Sequence, residues 1–138
     1  MLIRFLATLL CLHTSSCWAS SFARDQLIGS WSSGDQAIGT YVEENYLDNG
    51  VYCRERQLSS RNQSKWVSTL GSWRLDNKLI LISVEQSTDP NQIQSIGSFQ
   101  YKIVVELTED RFTSGIQTSH FGIVEARYQR MQGEPSCD

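Results

Sequence analysis

From residue 27 onward, apolar side chains recur at every second position over most of the chain, and turn-forming residues break the pattern at short intervals. The clearest case is Phe99, Tyr101, Ile103, Val105 and Leu107 alternating with Gln100, Lys102, Val104 and Glu106. A period of two belongs to a strand with one face in a core, and the uniformly bulky odd-numbered set predicts which face that is. Runs at 27–32, 39–47, 51–58, 65–75, 78–84, 111–119 and 122–131 read as strands too. Asp48-Asn49-Gly50 and Asp76-Asn77 supply residues that tolerate the positive φ of tight hairpins. About eight strands joined mostly by short turns predict an all-β antiparallel meander, closed into a barrel or folded as a sandwich. Only residues 21–26 suit a short helical turn, with Ser21 as its cap. The one long link, 85–98, is polar yet carries Ile93 and Ile96, which predicts a loop over one end of the sheet, able to contact a partner.

The start of the chain does not belong to this pattern. Arg4 precedes an apolar stretch, Phe5 to Leu12, too short to span a bilayer, and Cys17-Trp18-Ala19 offers small residues before a cut after Ala19. Residues 1–19 therefore read as a signal peptide and 20–138 as one exported domain. The alternative takes Thr14-Ser15-Ser16-Cys17 as a lipobox, with Cys17 acylated as the mature N-terminus, giving a lipid-anchored protein in the periplasm or outside the cell. No later segment is long and apolar enough to be a transmembrane helix.

Export changes how the cysteines count. Cys11 and Cys17 belong to the leader, which leaves Cys53 and Cys137 in an oxidising compartment, where such a pair forms a disulfide. A bridge spanning that loop would constrain the unfolded chain by roughly 4 kcal/mol and tie the C-terminal tail to an early strand. The net charge of −3, one unit more negative once Arg4 leaves, and the lack of a basic stripe disfavour nucleic acid and anionic membrane as partners. Asn62-Gln63-Ser64 is a formal glycosylation sequon, relevant only in a eukaryotic source.

Gly-Ser-Trp occurs twice, at 29–31 and 71–73. The spacing would suit a repeated blade, but no third copy exists and the flanks do not match, so a solenoid or propeller is rejected. In a strand, Trp two residues after Gly faces the same side and fills the space that Gly leaves. Trp31 would then plug one barrel end and Trp73 would fill wall or core further round. A helical turn followed by Gly29-Ser30-Trp31 opening the first strand resembles the lipocalin-like (calycin) barrels. "GSWRLDNKLILIS" and "FQYKIVVELTEDRFT" are similar to the hairpin and late strand of small bacterial lipocalin-like domains. The resemblance implies an eight-stranded up-and-down barrel, closed by an Arg of the last strand lying over the opening Trp. Arg127 and Arg130 are available, and Arg130 shares a strand face with Val124, Ala126 and Tyr128. Gly29, Trp31 and Arg130 are thus the expected closure.

No catalytic machinery stands out. His120, alone after export, sits in a Ser-His-Phe-Gly turn; no nucleophile elbow, zinc-ligand set or phosphate-cradling loop occurs, so neither an enzyme nor a cofactor is expected. Glu43 and Glu44, adjacent on a strand, point to opposite faces, and Glu109-Asp110 beside Arg111 read as a solvated turn. A carboxylate of the first pair that faced the interior would need a partner such as Arg54, Arg56 or Arg74 and would form a polar anchor. Two functions follow. A barrel this size can hold one small apolar ligand, with Tyr41, Trp73, Phe99, Tyr101 and Tyr128 as the candidate lining. The alternative is a periplasmic protein-binding barrel with a filled core, of protease- or lysozyme-inhibitor type, contacting its partner through residues 20–26 or 85–98.

Overall fold

The computed structural model describes residues 22–60 and 63–138. The leader with Cys17, the cap residue Ser21 and the sequon residue Asn62 lie outside these. A helical turn α1 (Arg24–Leu27) leads into β1 (Gly29–Ser33), β2 (Val42–Tyr46), β3 (Val51–Ser60), β4 (Gln63–Asp76), β5 (Leu79–Ser87), β6 (Phe99–Leu107), β7 (Arg111–Thr118) and β8 (Gly122–Arg130). Every neighbour is antiparallel, and β8 returns to β1 through Trp31↔Arg130 and Ser32↔Gln129, so the sheet closes into an up-and-down barrel in sequence order. Closure leaves no long free edge.

Turn chemistry matches local sequence. Gly50 carries a φ of +84° in the β2–β3 turn, and Asn77 takes +53° in the β4–β5 turn. The helical turn begins later than residue 21, with Ala23 preceding it and its amide donating to Gln26 Oε1 at 3.0 Å. Single 3-10 turns occur at Gln36–Ile38, between β1 and β2, and at Ile93–Ser95, inside the long 85–98 link.

One strand is inverted relative to expectation. Phe99, Tyr101 and Val105 are exposed on the outside of β6, whereas Lys102 and Val104 are buried inside. A shift in the pairing with β7 between Val104 and Glu106 then returns Leu107 to the core. Both faces of this strand carry apolar residues, so its alternation shows that it is a strand without showing which face is inward. The tertiary partner of Lys102, described below, decides it.

Cys53 and Cys137 form a disulfide between β3 and the tail. Reduction is expected to lower stability by about 2–3 kcal/mol, less than the loop-entropy figure. The tail after Arg130 has no secondary structure beyond bends, so the reduced native state regains part of its freedom too. Denaturant titration with and without reductant measures the difference.

Candidate functional site

The strands run between two ends with different chemistry. At the closed end, Leu27, Trp31, Tyr46, Trp73, Leu107 and Phe112 form a packed aromatic and aliphatic plug. Both Gly-Ser-Trp segments contribute their indole to this plug and solve one problem twice. The Trp31 indole donates to Leu27 O at 2.9 Å with the Arg130 guanidinium 4.1 Å from its ring centroid. The Trp73 indole donates to Leu47 O at 2.9 Å with Arg24 4.7 Å from its ring. Each indole buries its apolar body, satisfies its one donor on a backbone carbonyl and faces a cation. Of the two places expected for Trp73, wall or core, the structure gives the core, at the closed end.

Arg130 also donates to Ile28 O at 2.8 Å, to Gln26 O at 2.7 Å and to Glu109 O, joining three segments under the barrel. Gly29 makes room for it rather than for Trp31. A Cβ on Gly29 would stand 2.2 Å from Arg130 Nη1, and its φ of +145° strains any side chain. Gly29→Ala is expected to cost about 2 kcal/mol from backbone strain and the displaced guanidinium, read as a lower thermal midpoint. The segment before β1 is strapped down as well. Arg24 pairs with Asp48 at 3.1 Å, and Phe22 packs against the core.

Midway along the lumen the packing turns polar. Glu44 is fully buried and faces inward, while Glu43 faces out, as their adjacency requires. Its carboxylate accepts from Lys102 Nζ, from Tyr46 Oη at 2.8 Å, from Tyr52 Oη at 3.3 Å and from Tyr128 Oη at 3.4 Å. Arg54 Nε lies 3.6 Å away. Burial alone would push the Glu44 carboxyl up, but Lys102 and Arg54 outweigh it and hold the group below the usual carboxylate range. Burial presses Lys102 below its ordinary value, with Glu44 opposing. Burial and the Glu44 charge raise the Tyr46, Tyr52 and Tyr128 hydroxyls, so all three stay protonated donors.

Nearer the open end, Asp89 is buried and receives Arg56 through two bonds of 2.8 and 2.6 Å. That ion pair ties the 88–98 link to β3, and a Gln100–Gln92 contact ties it to β6. Burial raises the Asp89 carboxyl, but the hydrogen bond from Arg56 leads the effects that bring it below 3.8. Both folded carboxylates hold protons less readily than unfolded ones, so acid favours the unfolded chain. Stability is expected to be intact above the ordinary values of 4.5 and 3.8 and to fall as pH drops below them. Thermal midpoints from pH 7 to pH 2.5 check this.

Of the expected ligand lining, the structure gathers little. Trp73 and Tyr128 face inward but are buried in packing, and Phe99 and Tyr101 are on the outer wall. Tyr41 also leaves the lumen, stacking edge-on against Trp66 at 5.9 Å. The inward row of β7 and β8 runs from buried Phe112, Ser114 and Tyr128 to Ile116 and Val124, which pair across the two strands. Those last two are 45% and 49% exposed, so the lumen opens at this end above a solid floor. Two grooves of 470 and 580 Å³ lie on the outer wall, one near Arg111, Thr113 and Arg127, the other under the tail near Glu43, Glu55 and Asp138. Lys102 is the member of the buried polar cluster that sequence reasoning missed; a lone cation within an apolar strand was the signal. Among the described residues, no group of three or more His, Cys, Asp or Glu could hold a metal ion, and no helix is long and apolar enough to cross a membrane.

No protein-family model matches the chain, and no curated protein does. Solved structures do. A lipocalin-like protein from Bacteroides uniformis superposes with a TM-score of 0.52 at 16% identity, covering 77% of this chain and 99% of that one. An uncharacterized protein from Bacteroides eggerthii gives 0.47 at 11% identity, covering 75% and 98%. With the closed eight-stranded meander and its sealed end, the first likeness assigns the architecture: the chain has a lipocalin-like fold.

Proposed function

We propose that this is an exported, non-catalytic binding protein that holds a small amphipathic guest at the open end of its barrel. The observation that carries the reading is the half-exposed pair Ile116 and Val124 on an inward-facing wall, above a lumen otherwise filled. A guest therefore rests in a shallow cup and is not swallowed. Export fits the Cys53–Cys137 bridge, which persists in oxidising compartments.

A second reading has its own support. Leu79, Phe99, Tyr101, Val105 and Ile123 are exposed, and strand alternation and pairing place them together on the outer wall of β5, β6 and β8. A partner protein would cover that strip.

Native mass spectrometry of protein purified from its source, with Nile red titration of the same sample, separates the two. The first reading expects a co-purified small molecule and dye binding that is lost in Val124→Glu but kept in Ile123→Glu. An apo protein that ignores the dye overturns it, and a retained protein lost in Ile123→Glu establishes the second.

A further inference from the structure

The seam between the first and last strands closes unevenly. β8 is nine residues long and β1 five, and their pairing is limited to Trp31↔Arg130 and Ser32↔Gln129. Just beyond, Gly34 takes a φ of +82° with the Thr40 carbonyl standing where a Cβ would go, so the chain turns away toward β2. Toward the open end β8 therefore keeps β7 on one side and no strand on the other, which leaves a short stretch of edge. Two bonds show which groups that stretch presents. The Met131 amide donates to Ser30 O at 2.8 Å on the β1 side, and the Arg130 amide donates to Asp110 O at 2.8 Å on the β7 side. The β7–β8 register runs without a shift, so alternation points the N–H and C=O of Ile123, Glu125 and Arg127 toward the missing neighbour. Among the described residues no backbone group bonds them on that side, and all three residues are exposed.

The outer groove of 470 Å³ reaches into this gap, with Ser32, Ser33 and Gly34 on one side and Glu125, Arg127 and Gln129 on the other. Glu125 and Arg127 stand on the outer face, paired with Gly115 and Thr113. Among the described residues neither makes an ion pair or a side-chain hydrogen bond. Val124 and Ala126 alternate with them and face inward, Val124 half-exposed at the open end. An open row of backbone donors and acceptors, two uncommitted charges of opposite sign and an apolar inner row are the features that an added strand recognises.

We propose that this edge takes an extended segment of a partner protein as an added antiparallel strand, with an acidic residue opposite Arg127, a basic residue opposite Glu125 and apolar residues alternating with them toward the lumen. Backbone bonds to Ile123, Glu125 and Arg127 supply the affinity, and the alternate side chains select the sequence. A second copy of this chain carries suitable charges, since Glu125-Ala126-Arg127 run antiparallel to itself sets each charge against its opposite. It does not fit, however. Pairing centred on Ala126 would bring the copy's Ile123 opposite Gln129, a place that Ser32 already holds. A segment that ends or turns beside Tyr128 avoids that conflict. The site is the edge of the wall, so neither a guest in the lumen nor a cover on the outer strip of β5 and β6 plays a part in it.

The test titrates isotope-labelled exported protein with two capped hexapeptides, Thr-Glu-Val-Lys-Val-Thr and its charge-exchanged form Thr-Lys-Val-Glu-Val-Thr, followed by amide NMR. The first is expected to bind at least about fivefold tighter, shifting the Ile123, Glu125 and Arg127 amides and slowing their hydrogen exchange. Methylating the backbone nitrogens of its Glu and Lys, which would face β8, should abolish binding. Glu125→Arg combined with Arg127→Glu, both on the exposed outer face, should invert the preference. Equal affinity of the two peptides, or a preference for the exchanged one, overturns the charge register. Binding that survives methylation, shifts confined to other strands, or failure of both peptides overturns strand addition. A dimer in sedimentation of the protein alone, with the same three amides protected, overturns the assignment in favour of a second copy. Because the peptide comparison needs no variant, a folding defect in the double variant leaves the proposal falsifiable.

Discussion

Replacing Glu44 with alanine is expected to destabilise the protein by about 3–5 kcal/mol, because the change removes one partner of a buried ion cluster and leaves the other charges stranded. Lys102 would keep its ammonium in a site 8% exposed with no carboxylate in reach, and Tyr46, Tyr52 and Tyr128 would lose the acceptor they share. Lys102 would respond by giving up its proton, so the variant should gain stability as pH rises toward 10 more steeply than the parent, whose Lys102 is also held below its ordinary value. The cluster as a whole is a different matter. Removing both charges with Glu44→Leu and Lys102→Met together should cost far less than Glu44→Ala alone, since desolvation is avoided on both sides. Guanidinium titrations of the two variants and the parent supply the comparison. A single variant within 1 kcal/mol of the parent would mean that Glu44 is not buried as described.

Trp31→Ala is expected to cost about 3–4 kcal/mol. The indole is fully buried, packs edge-on against Phe112 at 5.6 Å and supports Arg130 from below. Truncation opens a cavity at the closed end that strand closure prevents from collapsing. It also strands the guanidinium, whose bonds to Ile28, Gln26 and Glu109 hold three segments together. Denaturant unfolding measures the loss. The matching change at Trp73, 5% exposed and capped by the partly open Arg24, should cost less. A Trp31 loss smaller than the Trp73 loss would reverse the ranking of the two caps.

The fold was legible because its signals are local. Period-two runs, Asn49-Gly50 and Asp76-Asn77 each act within a few residues, and together they specify antiparallel strands and turns whatever surrounds them. The resemblance carried by Gly29-Ser30-Trp31 extended this to barrel closure, since it implies an Arg of the last strand over the opening Trp and Arg130 shares the inward face. The pairing of Cys53 with Cys137 followed from compartment and elimination.

The candidate site was much less legible. Phe99 and Tyr101 were expected inside because they are large and aromatic, yet β6 turns Lys102 inward to meet Glu44. Nothing near Lys102 in the chain announces that: its carboxylate sits four strands earlier, and a buried ion pair exists only once the barrel brings both together. The same holds for Asp89 meeting Arg56, for two distant tryptophans sharing one end, and for Arg54 and Lys102 converging on one carboxylate. Sequence alone determined the strands, their turns, the sulfur tie and the indole seal, because each depends on neighbours in the chain or on one recognisable pairing. Only the tertiary structure decided which face of β6 is core, where the charges neutralise and where the lumen stays open, because burial reverses the preferences that residues show in isolation.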